Sequence, residues 1–538
     1  MSKLNKNLIK SVLFISSLLL CLAIFNTTTT SIAEIPSANN PINLNYVTHD
    51  PIEITSDDNF TDYGFPGEGT EINPYRIENL HIKAEVSFAI IVQVVTMNFV
   101  IQNCLIEDTS TAIFLYGLSW NSCRVEHNIL TNVDTGIFVY SVLNGTILNN
   151  TIEADYTGIE VETAVDLAIV NNTIYATHWY GIVFGTDADT IITGNKFYGS
   201  GIAFGLFTLP YFDTFTIEDN LVNDKTLGYF VHQNDLDIST TDYYGQLLLY
   251  DCDRAIIRNQ DLRNTTFGIQ AYQCNNMTIY DSKFGYNFAS IKIDYSDRLY
   301  VHNCEFKHNP QWEALRLHSC DNGYFFDNYF EDTVGFHIQG GLNVTLRGND
   351  FVDVSLAFYL DSITHSTVYE NYIFESSSGL WIYYGEFIEV YDNIFYQSIS
   401  GIDVDFNNDI TIHDNLFQEL EISAIRLNNE TENCTIYHNT FVNNNLLNYY
   451  ASQAYDKGTN NLWYNETLQQ GNYWSDWTSG PYDIDGDSGS QDLYPLSSPT
   501  ITPFIAEYHS FYASSYIMVP ILVCIIYLVK RKKKREIN

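Results

Sequence analysis

Cations are scarce in this chain. Of 538 residues only 25 are Lys or Arg, against 65 Asp or Glu, and the formal net charge is -40. Nucleic acid is therefore not an expected partner, because phosphate binding needs clustered Lys and Arg. Methionine is scarcer: Met1, Met97, Met277 and Met518 stand far apart, and the histidines are single. Copper handling calls for Met, Cys and His gathered together, so copper is not an expected cofactor. No helical period of 3.6 is sustained between Ile77 and Asn445, which leaves short strands as the building element. The chain is rich in core material, with 45% hydrophobic and 15% aromatic residues.

Both ends carry membrane signals. Lys3, Lys6 and Lys10 precede an apolar run at 11–25, and Ser31-Ile32-Ala33 offers a small-x-Ala cleavage site, the pattern of a secretory signal peptide or, failing cleavage, an anchor. At 511–529 there are 19 residues without a charge, followed at once by six cations at 530–535. Such a stretch is long enough to span a bilayer, and the basic tail stays inside. Sequons at Asn59, Asn144, Asn264, Asn343 and Asn465 suit an extracellular face.

Between these ends the sequence repeats itself. One position is Asn at Asn103, Asn128, Asn150, Asn172, Asn195 and Asn220, then at Asn328, Asn349, Asn371, Asn393, Asn415 and Asn439; Gln260, Ser282 and Cys304 fill it between. The spacing is 21 to 25 residues, apart from one gap of 40 after Asn220. Each repeat has a Gly-Ile-x-Val stretch, as at Ser400-Gly-Ile-Asp-Val404, a second alternating stretch, as at Ile410-Thr-Ile412, then the Asn and a third short stretch. These are three period-2 strands with turns between them. A fixed period of this length means a solenoid. The expected fold is all-β: a right-handed parallel β-helix of about 15 coils, each of about 22 residues and stacked about 4.8 Å from the next. The recurring Asn suits a left-handed turn, and its amide can bond the Asn of the next coil as a ladder. The long gap is expected to hold an extra hairpin or an atypical coil.

Three segments carry a family likeness: "PIEITSDDNFTDYGFPGEGTEINPYRIENLHI" at entry, "NLVNDKTLGYFVHQNDLDISTTDYYGQLLLYDCDRAIIRNQDL" at mid-chain and "GNYWSDWTSGPYDIDGDSGSQDLYPL" at exit. With its repeats and caps, the chain resembles the NosD-like family of secreted parallel β-helix proteins, within the pectin-lyase-like superfamily. The resemblance implies a periplasmic part in assembling a copper centre, or more broadly a carbohydrate-binding or sugar-cleaving β-helix. The residues themselves speak for carbohydrate.

Outward positions of the first strand form two rows. One reads Gln270, Lys292, Arg316, His337, Tyr359, Trp381, Asp403, Arg426; the other Tyr272, Asp294, His318, Gln339, Asp361, Tyr383, Asp405, Asn428. Facing solvent, such a strip would stack sugars on Trp and Tyr and bind hydroxyls with charged groups. The candidate ligand-binding residues are Lys292, Asp294, Arg316, His318, His337, Tyr359, Trp381 and Tyr383. Asp403 and Asp405, two apart on one strand, with Asp361, are the candidate catalytic carboxylates, at about the separation inverting glycosidases use. Alternate acids in "DIDGD", Asp483, Asp485 and Asp487, with Asp492 beyond, form a candidate calcium loop, or else simply an acidic loop. Cys252 and Cys274, one coil apart, could pair as a disulfide or sit as two buried thiols, while Cys123 and Cys434 should point into the core.

The domain reading is a signal peptide at 1–33, an N-terminal cap at 34–80, the β-helix at 81–445, a C-terminal cap at 446–499, a linker at 500–510, a transmembrane helix at 511–529 and a cytoplasmic tail at 530–538. The expected protein sits on the cell surface, a single-pass membrane protein binding polysaccharide or envelope glycan. Hydrolase or lyase action on the strip and metal-cofactor maturation are the alternatives. Mass spectrometry of the exported chain is expected to find its first residue at Glu34; a chain still carrying the run at 11–25 would make that run an anchor.

Overall fold

The computed structural model describes residues 46–118, 123–205, 209–239 and 243–502. The segments expected to be signal peptide, transmembrane helix and tail, and most of the linker, lie outside the described residues. Among the described residues no helix is long and apolar enough to cross a membrane.

The chain folds as an all-β parallel solenoid of about 16 turns. One turn shows how the sequence dictates it. Ser400–Asp405 is the first strand, Thr411–His413 the second and Leu416–Gln418 the third. Alternation sends Ile402, Val404, Ile412 and Phe417 inward, where each is almost wholly buried. Each strand pairs in parallel with its equivalent one turn on, as Ser400 does with Ser423, Thr411 with Thr435 and Leu416 with Thr440. The third strands stack their Phe rings through the core: Phe330 on Phe351 at 4.6 Å, Phe395 on Phe417 at 4.9 Å, and Phe441 on Trp474 at 4.0 Å. Burying each ring contributes roughly 1.5–3 kcal/mol.

The asparagine ladder forms as expected, with two corrections. Asn371 donates its backbone N–H and its Nδ2 to Asn393 Oδ1, at 3.0 and 2.9 Å, and its Nδ2 also reaches Leu346 O at 2.9 Å. Asn393 repeats this towards Asn415. It is the residue before the ladder position that takes the left-handed turn: Asn149 at φ 54°, Asn171 at 53°, Glu370 at 57° and Asp392 at 53°. The rung itself serves through its amide. Asn103, at φ 52°, is such a turn residue and not a rung; Cys104 occupies the rung and donates its N–H to Asn128 Oδ1 at 2.9 Å.

The 40-residue gap is a break between two blocks of turns. The second strands form a seven-stranded sheet ending at Thr216–Glu218 and a ten-stranded sheet beginning at Asp237–Ile238. Leu221–Val222 turns back in an antiparallel hairpin onto Lys225 and Thr226, and the strand Lys225–Val231 then opens the second block by pairing in parallel with Tyr244–Tyr250. The extra hairpin is therefore present, and it starts a new stack. The strand Ile202–Phe204, last of its row in the first block, is met by side chains of the second. Gln246 binds both N–H and C=O of Ile202 at 2.9 and 2.7 Å, and Gln270 binds those of Phe204 at 3.0 and 2.7 Å. Two side-chain amides thus take the place of a neighbouring strand, satisfying an edge that would otherwise stay open.

Both ends are capped. The helix Asp58–Asp62 lays Phe60 over Tyr75 at 4.7 Å. At the other end Asn439 continues the ladder to Asn472, whose N–H donates to Asp492 Oδ2 at 2.7 Å. Asn371→Ala is expected to cost about 1–3 kcal/mol, since it strands the rungs above and below without partners. Chemical denaturation measures this, and a loss under about 0.5 kcal/mol, the range of a surface substitution, would sink the ladder as a source of stability.

Candidate functional site

Both rows of the strip are in strand register. Gln270, Lys292, Arg316, His337, Tyr359, Trp381, Asp403 and Arg426 follow one another turn by turn, and Tyr272, Asp294, His318, Gln339, Asp361, Tyr383 and Asp405 run beside them. Solvent exposure departs from expectation. Gln270, Asp294 and Asp403 are buried, because the first block covers one end of the strip and neighbouring rungs cover the other two side chains.

At the covered end the charges crowd together. Lys292 Nζ donates to Phe204 O at 3.4 Å, lies 3.9 Å from Asp294 Oδ2 and stands over the Phe267 ring. Burial lowers its pKa, with Asp294 opposing and Arg316 adding to the shift. Burial raises the Asp294 carboxyl, opposed by Lys292, His318 and Arg316. His318 Nδ1 is 3.8 Å from Asp294 Oδ1. Burial also pushes Glu313 up, but a 3.0 Å hydrogen bond with His337 outweighs it and holds the carboxyl below its ordinary value. From the first block Tyr180 faces this corner, its phenol pushed up to about 12 by burial, with Arg316 opposing and Glu160 adding.

Further along, His337, Tyr359 and Trp381 make an aromatic run with centroids 4.7 and 5.0 Å apart and planes tilted by 36° and 35°. Trp381 is 38% exposed. Its Nε1 donates to Asp405 Oδ2 at 2.8 Å, and Tyr383 sits edge-on to it at 6.2 Å. Asp361 accepts from Gln339 Nε2 at 3.3 Å and from Ser362 Oγ at 2.8 Å. Asp403, 7% exposed, is ion-paired to Arg426 Nε at 2.7 Å. All three candidate catalytic carboxylates are thus already engaged, Asp403 by a guanidinium, Asp405 by an indole and Asp361 by an amide and a hydroxyl.

Sequence reasoning did not find Tyr180, Glu160 or Glu313. Glu313 and Trp312 lie in the strand Glu305–His318, within a repeat of 24 residues from Cys304 to Asn328, and that extra length was the available signal. An outward column on the second strands was also missed. It runs Arg258, Tyr280, His302, Phe326, Arg347, Tyr369, Tyr391, His413, Tyr437. Its rings lie nearly parallel, Tyr280 on His302 at 5.1 Å and 5°, Tyr391 on His413 at 5.3 Å and 4°. Those faces are spent on each other, whereas the tilted Trp381 keeps one partly open.

The expected calcium ligands divide. Asp483 and Asp487 are exposed, and Asp485 accepts the N–H groups of Ala451 and Gly486 at 2.8 Å each. Asp492 points inward, where it accepts from Asn472, from Trp474 Nε1 at 2.9 Å and from Tyr494 N at 3.0 Å. Cys252 and Cys274 stack as expected: both are buried free thiols, and the Cys252 N–H donates to Cys274 Sγ at 3.4 Å. The neighbouring Cys274 thiol brings Cys252 below the ordinary thiol value against the opposing effect of burial. Cys123 and Cys434 are buried.

The architecture is that of the parallel β-solenoids, with side chains displayed in register on flat strand faces. The chain belongs to the NosD family, described as periplasmic copper-binding protein (NosD), which matches residues 44–242, 200–343, 229–400 and 320–479. No curated protein matches the chain. Among solved structures, the Family 28 exopolygalacturonase of Yersinia enterocolitica is 9% identical over 77% of this chain and 78% of that one, with a TM-score of 0.22. Alginate lyase AlyF-OU02 is 11% identical over 88% and 100%, with a TM-score of 0.23. PfbA, a surface adhesin of Streptococcus pneumoniae, is 11% identical over 72% and 92%, with a TM-score of 0.18. These likenesses concern the fold alone.

Copper, implied by the family's description, does not fit the donors present among the described residues. Among the described residues His, Cys, Asp and Glu form no group of three or more that could hold a metal. Cys104 and Cys304 turn their thiols to backbone carbonyls, and His337 and His413 are each tied to separate carboxylates.

Arg426→Leu is expected to destabilise the fold by about 2 kcal/mol at neutral pH. That is less than the 3–5 kcal/mol of a fully buried pair, because Arg426 is partly exposed. Burial raises the Asp403 carboxyl, with Arg426 pulling it back. A raised folded pKa means stability held below the unfolded aspartate value and lost as pH rises through the folded one. The deficit of Arg426→Leu should therefore shrink as pH falls towards the aspartate range. Denaturation midpoints from pH 7 down to 4 measure it, and a deficit independent of pH would separate Asp403 from the effect.

Proposed function

We propose that this protein binds glycan along the first strands of its second block, at the cell surface. The observation that carries the reading is the aromatic run His337, Tyr359, Trp381, exposed at Trp381 and flanked in register by groups that bond hydroxyls: Arg316 at one end, Asp361 and Asp405 in the row beside it. A sugar ring is apolar on its faces and polar at its rim, so it needs a flat aromatic surface with polar groups beside it. Neighbouring turns offer this at about 4.8 Å intervals. Such a surface suits a chain of repeating units better than a small molecule. Export by the segment at 1–33 and anchoring by that at 511–529 belong to the same reading.

Cleavage of the bound chain is the second reading. It is favoured by the desolvated acid and base groups at the covered end, Lys292, Asp294 and His318. The test is titration of the protein against a polysaccharide panel, with and without calcium, while new chain ends are counted. Trp381→Ala is expected to weaken binding about tenfold, or about 1.4 kcal/mol. An unchanged affinity would move the ligand off this face. Release of chain ends that vanishes in Asp294→Asn would favour cleavage over binding.

A further inference from the structure

The groove on the first strands is closed at one end. The rung before Lys292 is Gln270, whose side-chain amide is locked to the backbone of Phe204 in the first block. The rung before that is Leu248, wholly buried. Beside them Tyr250 stacks on Phe212 of the first block at 5.5 Å. A chain lying on Trp381 and Tyr359 and running past Arg316 meets this wall at Lys292 and cannot pass it.

At that wall the polar groups are left incomplete. Asp294 Oδ2, His318 Nδ1, Glu313 Oε2 and His337 Nε2 are buried atoms without a hydrogen-bond partner. Asp294 is 2% exposed. Buried polar atoms are nearly always satisfied in native proteins, so these two pairs, Asp294 with His318 and Glu313 with His337, both within the field of Arg316, indicate something that completes them. The charges nearby are Lys292 and Arg316 against Asp294, Glu313 and, from the first block, Glu160, which gives an anionic ligand no advantage. Acceptors and donors are mixed within one corner. A hydroxyl serves both needs, since it donates and accepts at once.

Resting on the glycan reading above, we propose that this corner is a chain-end subsite: it holds the terminal, uncharged sugar residue of a glycan through that residue's free hydroxyls, and the rest of the chain leads away over Tyr359 and Trp381. The protein then binds chain termini rather than chain interiors. One protein molecule is bound per accessible end, whatever the length of the chain.

The test is calorimetry of the full-length protein with neutral gluco-, manno-, galacto- and xylo-oligosaccharides of about six residues, with the long polymers of the same sugars, and with polygalacturonate as the acidic arm. The expected result is a fixed number of proteins per chain from hexamer to polymer for the neutral sugar that binds. Asp294→Asn and, separately, the partly exposed Arg316→Ala should lower affinity more than tenfold with unfolding midpoints near that of the wild type. Should Asp294→Asn fail to fold, Arg316→Ala and the stoichiometry still decide. A number of bound proteins that grows with chain length overturns the subsite, as does undiminished affinity in Arg316→Ala. Tighter binding of polygalacturonate overturns the uncharged class. If none of these sugars binds the wild type, the glycan reading itself falls and the subsite falls with it, an outcome distinct from binding that scales with length.

Discussion

A buried amide must find partners, and in this fold they lie one turn away. Inside each block a ladder Asn gives its N–H and its Nδ2 to the Oδ1 of the next rung, and takes the same pair from the rung before. Amide groups inside a low-dielectric core are costly when unpaired. Where it runs, the ladder therefore fixes the rotation and height of each turn relative to its neighbours. The rest follows: once rungs are in register, the inward Phe residues stack, the strands pair residue to residue, and outward side chains line up in columns.

That dependence explains what could be read from the sequence. Period, strand pattern and register were legible because the ladder imposes one residue type at one spacing. Both rows of the strip came out in register for this reason. The errors arose where one-dimensional spacing does not carry the information. Asn103 matched the pattern one position early, because turn and rung are adjacent and both accept Asn; only the φ angles and the Cys104 bond separate them. Asp492 lies in an acid-rich exit segment, and nothing local says that its carboxylate turns inward to Asn472 and Trp474. Burial of Gln270 comes from the other block, far away along the chain.

The break after Asn220 is what turns a uniform rack of side chains into a site. Within one block every turn is equivalent, and a groove along it would be open at both ends. Where the second block begins, Gln246 and Gln270 receive the backbone of Ile202 and Phe204, and the first block closes the groove. Desolvated charge accumulates at that position. Lys292 is perturbed there because a protein wall has replaced water.

The final rung has a consequence of its own. From Asn328 to Asn472 each Asn of the ladder both receives and passes on hydrogen bonds, so this ladder has a direction. Asp492 is an acceptor without a donor: its carboxylate takes the bonds of Asn472, Trp474 and Tyr494 and hands nothing further. A stack of parallel strands that ended in another amide would present a template on which a second molecule could add turns, the geometry by which cross-β fibres lengthen. Ending in a carboxylate, already saturated by its own cap, makes the column a closed sentence rather than the first line of a polymer.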